Sequence, residues 1–142
     1  MVPAMTDMKD FNQAVIEEFR ANHGKVGGGF EGMPMVLLTT TGAKSGLERT
    51  NPLAALVDGE HLYVIASKAG APTHPDWYHN VLATPEVEVE FGDETFAATA
   101  VPVSREERDR LYALQVERVP GFGDYEKSTD RVIPVVELVR GA

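Results

Sequence analysis

Apolar residues return along this chain in two rhythms, one helical near the start and one alternating through most of the rest. Between about Asp7 and Asn22, Met8, Phe11, Val15 and Phe19 recur at three- and four-residue spacing, while Asp10, Glu17, Glu18 and Arg20 fall mostly off that stripe. The spacing predicts an amphipathic helix with Thr6 or Asp7 as N-cap. Its apolar face either packs on the chain's own core or meets a partner or membrane. The scarcity of Lys and Arg on the polar face weakens the membrane reading. Gly24 to Gly32 is Gly-rich and predicts a flexible connection. It is not a P-loop, because Val26 rather than Ser or Thr follows Lys25. Gly42-Ala43-Lys44-Ser45 ends like one but lacks the upstream glycine.

The alternating rhythm begins at Met35 to Thr41, a β-branched, apolar run. Leu53 to Val57, the turn pair Asp58-Gly59 and Leu62 to Ala66 read as a hairpin. Val87, Val89 and Phe91 alternate with Glu88 and Glu90, which gives one buried and one wet face. Gly92-Asp93 turns that strand back into Thr95 to Val103. Val132 to Val139 supplies a last strand, with Pro134 arguing for an edge or a bulge. A short helix covers about Pro75 to Ala83 and closes before Pro85. A longer one starts at Ser104, with Glu107 completing a capping box, and ends near Arg118 before Pro120. The sum is mainly β with flanking helices (α+β): about six antiparallel strands and three helices, better suited to a small closed barrel than to a βαβ sheet. With 142 residues and no repeat or linker, a single domain over 1–142 is expected, residues 1–32 being the helix and its connection and 33–142 the barrel.

Charge narrows the partners. A formal net charge of −9 disfavours wrapping nucleic acid, which needs a surplus of Lys and Arg. The absence of cysteine excludes disulfides and thiolate chemistry. No segment approaches a membrane span, and the first ten residues lack the basic start and apolar stretch of a signal peptide, so a cytoplasmic protein is expected.

Three polar segments set between strands carry the candidate chemistry: Thr41-Gly42-Ala43-Lys44-Ser45-Gly46 with Arg49-Thr50-Asn51-Pro52, then Ala66-Ser67-Lys68, then Pro75-Asp76-Trp77-Tyr78-His79-Asn80. Lys44 offers a point charge and Arg49 a two-pronged donor, a pair able to hold a phosphate or carboxylates. An ordinary basic loop fits the same residues. Ser67 and Lys68 end a buried strand, where donors face the mouth of a barrel or merely cap it. Trp77 either walls a pocket or fills the core. Asn51 either pins a ring edge or caps a turn. Gly121-Phe122-Gly123-Asp124-Tyr125 reads as a mobile aromatic loop, able to cover a planar ligand or simply to pack its rings; Tyr125 is a candidate proton donor. The histidines His23, His61, His74 and His79 lack metal-site spacing, and His74 and His79, five apart, are expected on different sides of a helix. No G-x-S-x-G elbow is present.

These segments, in this order, resemble the deazaflavin-dependent nitroreductase family of actinobacteria, which uses coenzyme F420. The similarity lies in Leu38-Thr39-Thr40-Thr41-Gly42-x-Lys44-Ser45-Gly46, Arg49-x-Asn51-Pro52-Leu53, Ala66-Ser67-Lys68, Trp77-Tyr78-x-Asn80, and Asp124-Tyr125 followed by Thr129-Asp130-Arg131-x-Ile133-Pro134. It covers the chain from about Phe11 to the end. The resemblance implies a split β-barrel akin to FMN-binding proteins, as a monomer or homodimer, with coenzyme F420 as cofactor. It implies that Lys44, Ser45 and Arg49 meet the phosphate and acidic tail. Thr50, Asn51, Pro52, Leu53 and Ala54, with Ile65, Ala66, Ser67 and Lys68 and with Asp76, Trp77, Tyr78, His79 and Asn80, then line the deazaflavin groove. Phe122 and Tyr125 sit over the reacting face, Tyr125 as the catalytic residue. Ala43 stands where the family usually has Arg, and Phe122 and Val119 stand where it often has Tyr. With two phenols gone, quinones and unsaturated carbonyls are expected as hydride acceptors ahead of nitro compounds. The competing expectations are FMN or haem in the same barrel, or a non-catalytic deazaflavin carrier. Peripheral membrane contact through the N-terminal helix is a further expectation.

Overall fold

The computed structural model of the protein describes residues 4–27 and 33–141. Among these, six strands close into an antiparallel barrel in the order β1 (Met35–Thr41), β2 (Glu48–Asp58), β3 (His61–Ile65), β6 (Val135–Arg140), β5 (Glu94–Pro102) and β4 (Glu86–Phe91). Four α-helices dress it: α1 (Ala4–Ala21), α2 (Asp76–Ala83), α3 (Arg105–Arg118) and α4 (Gly121–Lys127), with a 3₁₀ turn at Lys68–Gly70.

The strand period of two sorts the side chains. Val36 and Leu38 of β1, Ala55 of β2, Val64 of β3, Val87 and Val89 of β4, Ala98 and Ala100 of β5, and Val136 and Leu138 of β6 fill the barrel. The alternate residues Met35 and Leu37 face outward and are covered by Val15, Ile16 and Phe19 of α1. Leu56, Tyr63, Ile65 and Val135 also face outward and pack under Leu111 and Tyr112 of α3 and Phe122 of α4. Over its described side chains, α1 therefore spends its apolar stripe on the barrel. The side chains of Met8 and Phe11 lie outside the described set, as do residues 28–32 of the Gly-rich connection.

Several expectations need correction. Helix α1 begins at Ala4, so Thr6 and Asp7 lie inside it rather than capping it. The first hairpin turns at Gly59-Glu60, one residue later than expected: Asp58 still pairs with His61, and Gly59 takes the left-handed φ of 63°. Strand β6 starts at Val135 and lies between β3 and β5, so it is no edge; Pro134 precedes it, and its carbonyl accepts the Ala66 N–H. Strand β2 begins at Glu48, well before Leu53. The expected mobile loop at Gly121 is helix α4, which makes four helices instead of three. Tertiary bonds hold α4 despite its two glycines: the Tyr112 hydroxyl donates to the Phe122 carbonyl at 2.6 Å, and Arg108 donates to Glu126 at 2.7 Å. Burial, with the nearby Glu126 carboxylate adding to it, pushes the Tyr112 phenol up to about 12, so it remains a donor. The predicted cap of α3 is present, Ser104 accepting from the Glu107 N–H at 3.2 Å.

Strand β2 is the element that creates a site. From Glu48 to Ala54 it pairs with β1, and its pairing with β3 starts only at Ala55. Its first half thus has one side without a strand neighbour. There Pro52, which has no N–H to give a ladder, is tolerated opposite Leu37.

Candidate functional site

The β1–β2 connection runs from Gly42 to Leu47 and is closed by two backbone bonds, Gly42 N–H to the Leu47 carbonyl at 2.8 Å and Gly46 N–H to the Gly42 carbonyl at 2.9 Å. Ser45 Oγ accepts the Leu47 N–H at 3.1 Å, so this hydroxyl shapes the loop. A Cβ on Gly42 would lie 2.5 Å from that oxygen, which explains the glycine. Helix α2 lies beside the loop. Its buried Asn80 accepts the Ala43 N–H at 2.9 Å and donates to Thr40 Oγ1 at 3.0 Å. One amide thereby ties the loop, the end of β1 and α2 together. Thr39 and Thr50, paired across β1 and β2, share a 2.8 Å hydroxyl bond.

Between this loop, the unpartnered side of β2 and α2 opens a cleft of about 730 Å³. It brings together Lys44, Ser45, Arg49, Thr50, Asn51, Asp76, His79 and Asn80 from the expected set, with Gly42 and Ala43. Asn12, Gln13 and Ile16 of α1 complete its wall, and sequence reasoning did not find them. The available signal was a pair of neutral amides on an otherwise charged helix face. Among the described residues, Arg20, Arg105, Arg108, Arg110 and Arg140 all pair with carboxylates. Lys44 and Arg49 are exposed and, like Lys68, Arg118 and Arg131, pair with none. Two uncompensated cations side by side in a chain of net charge −9 suit an anionic ligand.

The remaining expected residues lie elsewhere. Trp77 is 4% exposed and packs in the barrel core. Leu53 packs on the same core, and Ala54 lies between the α1 and α3 clusters. Ile65 and Ala66 are buried, and Pro52 is half-buried. Ser67 and Lys68 form a second locus beside α4. Gly70, at φ 80°, comes so close to α4 that a Cβ there would sit 3.0 Å from the Tyr125 carbonyl. Phe122 is buried and meets Tyr125 edge-on, with ring centroids 5.2 Å apart; Tyr125 is half-buried. Tyr78, on α2, packs against the barrel core and against His74, at 4.9 Å between centroids.

His74 and His79 do not face opposite sides of a helix as expected. His74 precedes α2, and the two rings lie 5.9 Å apart. Burial, the neighbouring Arg131 charge and His79 all hold His74 below the usual imidazole range. Among the described residues no group of His, Asp and Glu has the makings of a metal site.

A closed barrel in which half of one strand has a neighbour on one side only, with a cleft carrying two exposed cations at that gap, is suited to a ligand with an anionic part. A model of the F420H(2)-dependent quinone reductase family matches residues 12–139. An F420H(2)-dependent quinone reductase of Mycobacterium tuberculosis (strain H37Rv) is 40% identical over 126 residues, which span 86% of this chain and 85% of that one. The solved structure of an F420-H2 dependent reductase (FDR-A) matches at TM-score 0.67 and 44% identity, over 74% of this chain and 93% of the other. A second solved structure, a domain-swapped dimer, matches at TM-score 0.69 and 39% identity, over 95% and 99%. The chain belongs to the F420H(2)-dependent quinone reductase family.

Proposed function

We propose that this protein is an F420H2-dependent reductase that passes a hydride to quinone-type acceptors. The supporting observation is the pair of uncompensated cations, Lys44 and Arg49, over a cleft whose volume falls within the range of small-ligand sites. The donor set fits the coenzyme. Cations and the Ser45 hydroxyl suit a phosphate and acidic tail, while Asn51, Asp76 and His79 offer both donors and acceptors to a hydroxylated chain and a ring edge. Leu53, Ala54 and Ile65 enter this reading through their backbone, since their side chains face other clusters; both backbone groups of Ala66 are taken, by Pro134 and Arg131, and it enters as the residue that carries Ser67. Trp77 supports α2 from the core.

When bound, the reduced deazaflavin supplies the hydride; the chain supplies binding, orientation and a proton. Lys44, Ser45 and Arg49 hold the anionic end. Ser67 and Lys68, with Phe122 and Tyr125 of the adjoining α4, form the wall at the ring end, where the acceptor is held against the coenzyme and water is kept out. Quinone reduction consumes one hydride and at least one proton, and Tyr125 is the assigned proton donor, restored from solvent afterwards. Tyr125→Phe should lower kcat by about a hundredfold, the lower end of what a positioned proton donor contributes, and leave coenzyme affinity unchanged. Steady-state kinetics on several quinones checks this, and an unchanged kcat across all of them removes Tyr125 from the role.

The direct test of the function is a fluorescence titration with coenzyme F420 against FMN, followed by turnover of a menadione-type quinone. Saturation by the deazaflavin alone, with oxidation coupled to quinone reduction, is the expected result. Preference for FMN sinks the cofactor assignment, and tight binding without turnover on any acceptor leaves a carrier. Among the described residues no helix is long and apolar enough to cross a membrane. The reading is of a cytoplasmic enzyme, as monomer or homodimer. Val15, Ile16 and Phe19 of α1 are buried against the barrel and so are not available for contact with the inner membrane face.

A further inference from the structure

Arg131 lies on the short segment between α4 and β6, and it holds more of the fold's loops than any sequence feature announces. Its Nε donates to the Ala71 carbonyl at 2.9 Å, its Nη1 to the Ala66 carbonyl at 3.2 Å, and its Nη2 to the Ser67 carbonyl at 2.8 Å. Nη1 also lies 3.0 Å from His74 Nδ1, which accepts from it when His74 is neutral. Among the described residues Arg131 pairs with no carboxylate. All of its side-chain hydrogen bonds go to the segment 66–74, some sixty residues earlier in the chain.

That segment has an unfavourable backbone. Ser67 is helical at φ −75° and ψ −37°, and Lys68 follows at φ 46°, a left-handed value that costs a residue with a Cβ. Such conformations persist where surrounding contacts over-determine them. The Arg131 fork is that contact. In a trans peptide the C=O and N–H point in opposite directions. The Ala66 carbonyl shares its peptide unit with the Ser67 N–H, and the Ser67 carbonyl shares one with the Lys68 N–H. Drawing both carbonyls onto Arg131 therefore turns the N–H groups of Ser67 and Lys68 away from it. Neither N–H has a backbone acceptor among the described residues. Two successive amides in this arrangement make a concavity for an electron-rich oxygen.

We infer that Arg131 is a positioning residue for the coenzyme: by holding the Ala66 and Ser67 carbonyls it aims the Ser67 and Lys68 amides at a carbonyl oxygen of the deazaflavin ring. The inference rests on the proposed placement of the ring end at Ser67 and Lys68. Arg131 itself touches no ligand. The flat fork matters because it spreads donors over Nε, Nη1 and Nη2 to reach Ala71, Ala66 and Ser67, whereas an ammonium offers its three donors from a single nitrogen.

Two measurements on the full chain test it. Hydrogen exchange without ligand reads the clamp: Arg131→Ala should speed exchange of the Gly70 and Ala71 amides, which bond within this turn, by at least tenfold. Titration reads the aim: Arg131→Ala should bind coenzyme F420 at least tenfold more weakly. It should lose as much affinity for the ring-and-ribityl fragment that lacks phosphate and tail, and added guanidinium should recover part of both losses. Arg131→Lys, which keeps the charge and guards against a variant that does not fold, should shift both readouts in the same direction. In Arg131→Ala the His74 imidazole should titrate higher by NMR, having lost the neighbouring charge, with His79 and Tyr78 still in place. Unchanged exchange overturns the clamp. Faster exchange with unchanged affinity for the ring fragment overturns the aim and leaves the proposed function standing. If the wild-type chain binds neither the coenzyme nor the fragment, the proposed function fails and this assignment falls with it.

Discussion

Replacing Lys44 and Arg49 together by Ala should weaken binding of coenzyme F420 by about a hundredfold, or roughly 2.8 kcal/mol at 1.4 kcal/mol per tenfold. Each contact is a charge-assisted hydrogen bond made from an exposed side chain, so it is worth about a factor of ten, the low end for hydrogen bonds to charged groups. Their effect adds because no carboxylate among the described residues already consumes it. Stability should hardly change, because neither side chain fills space or completes a buried bond. The loss should depend on salt: wild-type affinity falls as ionic strength rises, and the double variant shows a flatter dependence. The ring-and-ribityl fragment supplies the control. It has nothing for these cations to hold, so its affinity should be the same for both proteins. Equal loss with the fragment would place the loop at the ring and reverse the orientation assigned to the coenzyme. Full affinity for the intact coenzyme in the double variant would remove the loop from the site.

Legibility in this chain follows the range of the forces involved. β1, β4, β5, α2 and α3 announce themselves through local patterns: alternation with Val87 and Val89, the Ser104–Glu107 cap, the prolines that bound α2. The start of β2 does not. Glu48 is exposed and Arg49 to Asn51 line a cleft rather than a core, so there is no apolar alternation to read, and Pro52 argues against a strand. Helix α4 is hidden for another reason. Its glycines predict a loop, and what stabilises it comes from Tyr112 and Arg108, on a different helix. The candidate site divides in the same way. Lys44, Ser45 and Arg49 are legible as a cationic loop because they are neighbours in sequence. That Asn12 and Gln13 join them, or that Arg131 governs the segment 66–74, depends on contacts between residues far apart in sequence, 57 to 65 positions in the case of Arg131. Trp77 shows the converse limit: the residue type suited a core or a pocket wall, and its packing in the barrel core is visible only in the fold.

Asn80→Ala should cost about 2–3 kcal/mol of stability and about tenfold in coenzyme affinity, although Asn80 contributes no charge to the cleft. Its amide is 7% exposed and makes two bonds, one to the Thr40 hydroxyl, itself 1% exposed, and one to the Ala43 N–H. Truncation leaves the Thr40 oxygen without its donor in a place water reaches poorly, and this term dominates the stability loss. The Ala43 N–H sits in the exposed loop and regains a partner from solvent, so its loss appears as loop freedom rather than as instability. That freedom lowers affinity, because Lys44 must then be ordered at the moment of binding. Thr40→Val separates the two effects. It removes the hydroxyl and keeps the shape, so it should cost about 1–2 kcal/mol and leave the Asn80–Ala43 tie and the affinity nearly intact. A double-mutant cycle between the two positions should then show coupling in stability and little in binding. Thermal or denaturant unfolding gives the first quantity and fluorescence titration the second. If Thr40→Val weakens the coenzyme as much as Asn80→Ala does, the loop is held by the end of β1 and not by the tie to α2. If neither affects binding, the cationic loop keeps its shape through its own Gly42–Leu47 and Gly42–Gly46 bonds, and α2 serves only as the wall that carries Asp76 and His79.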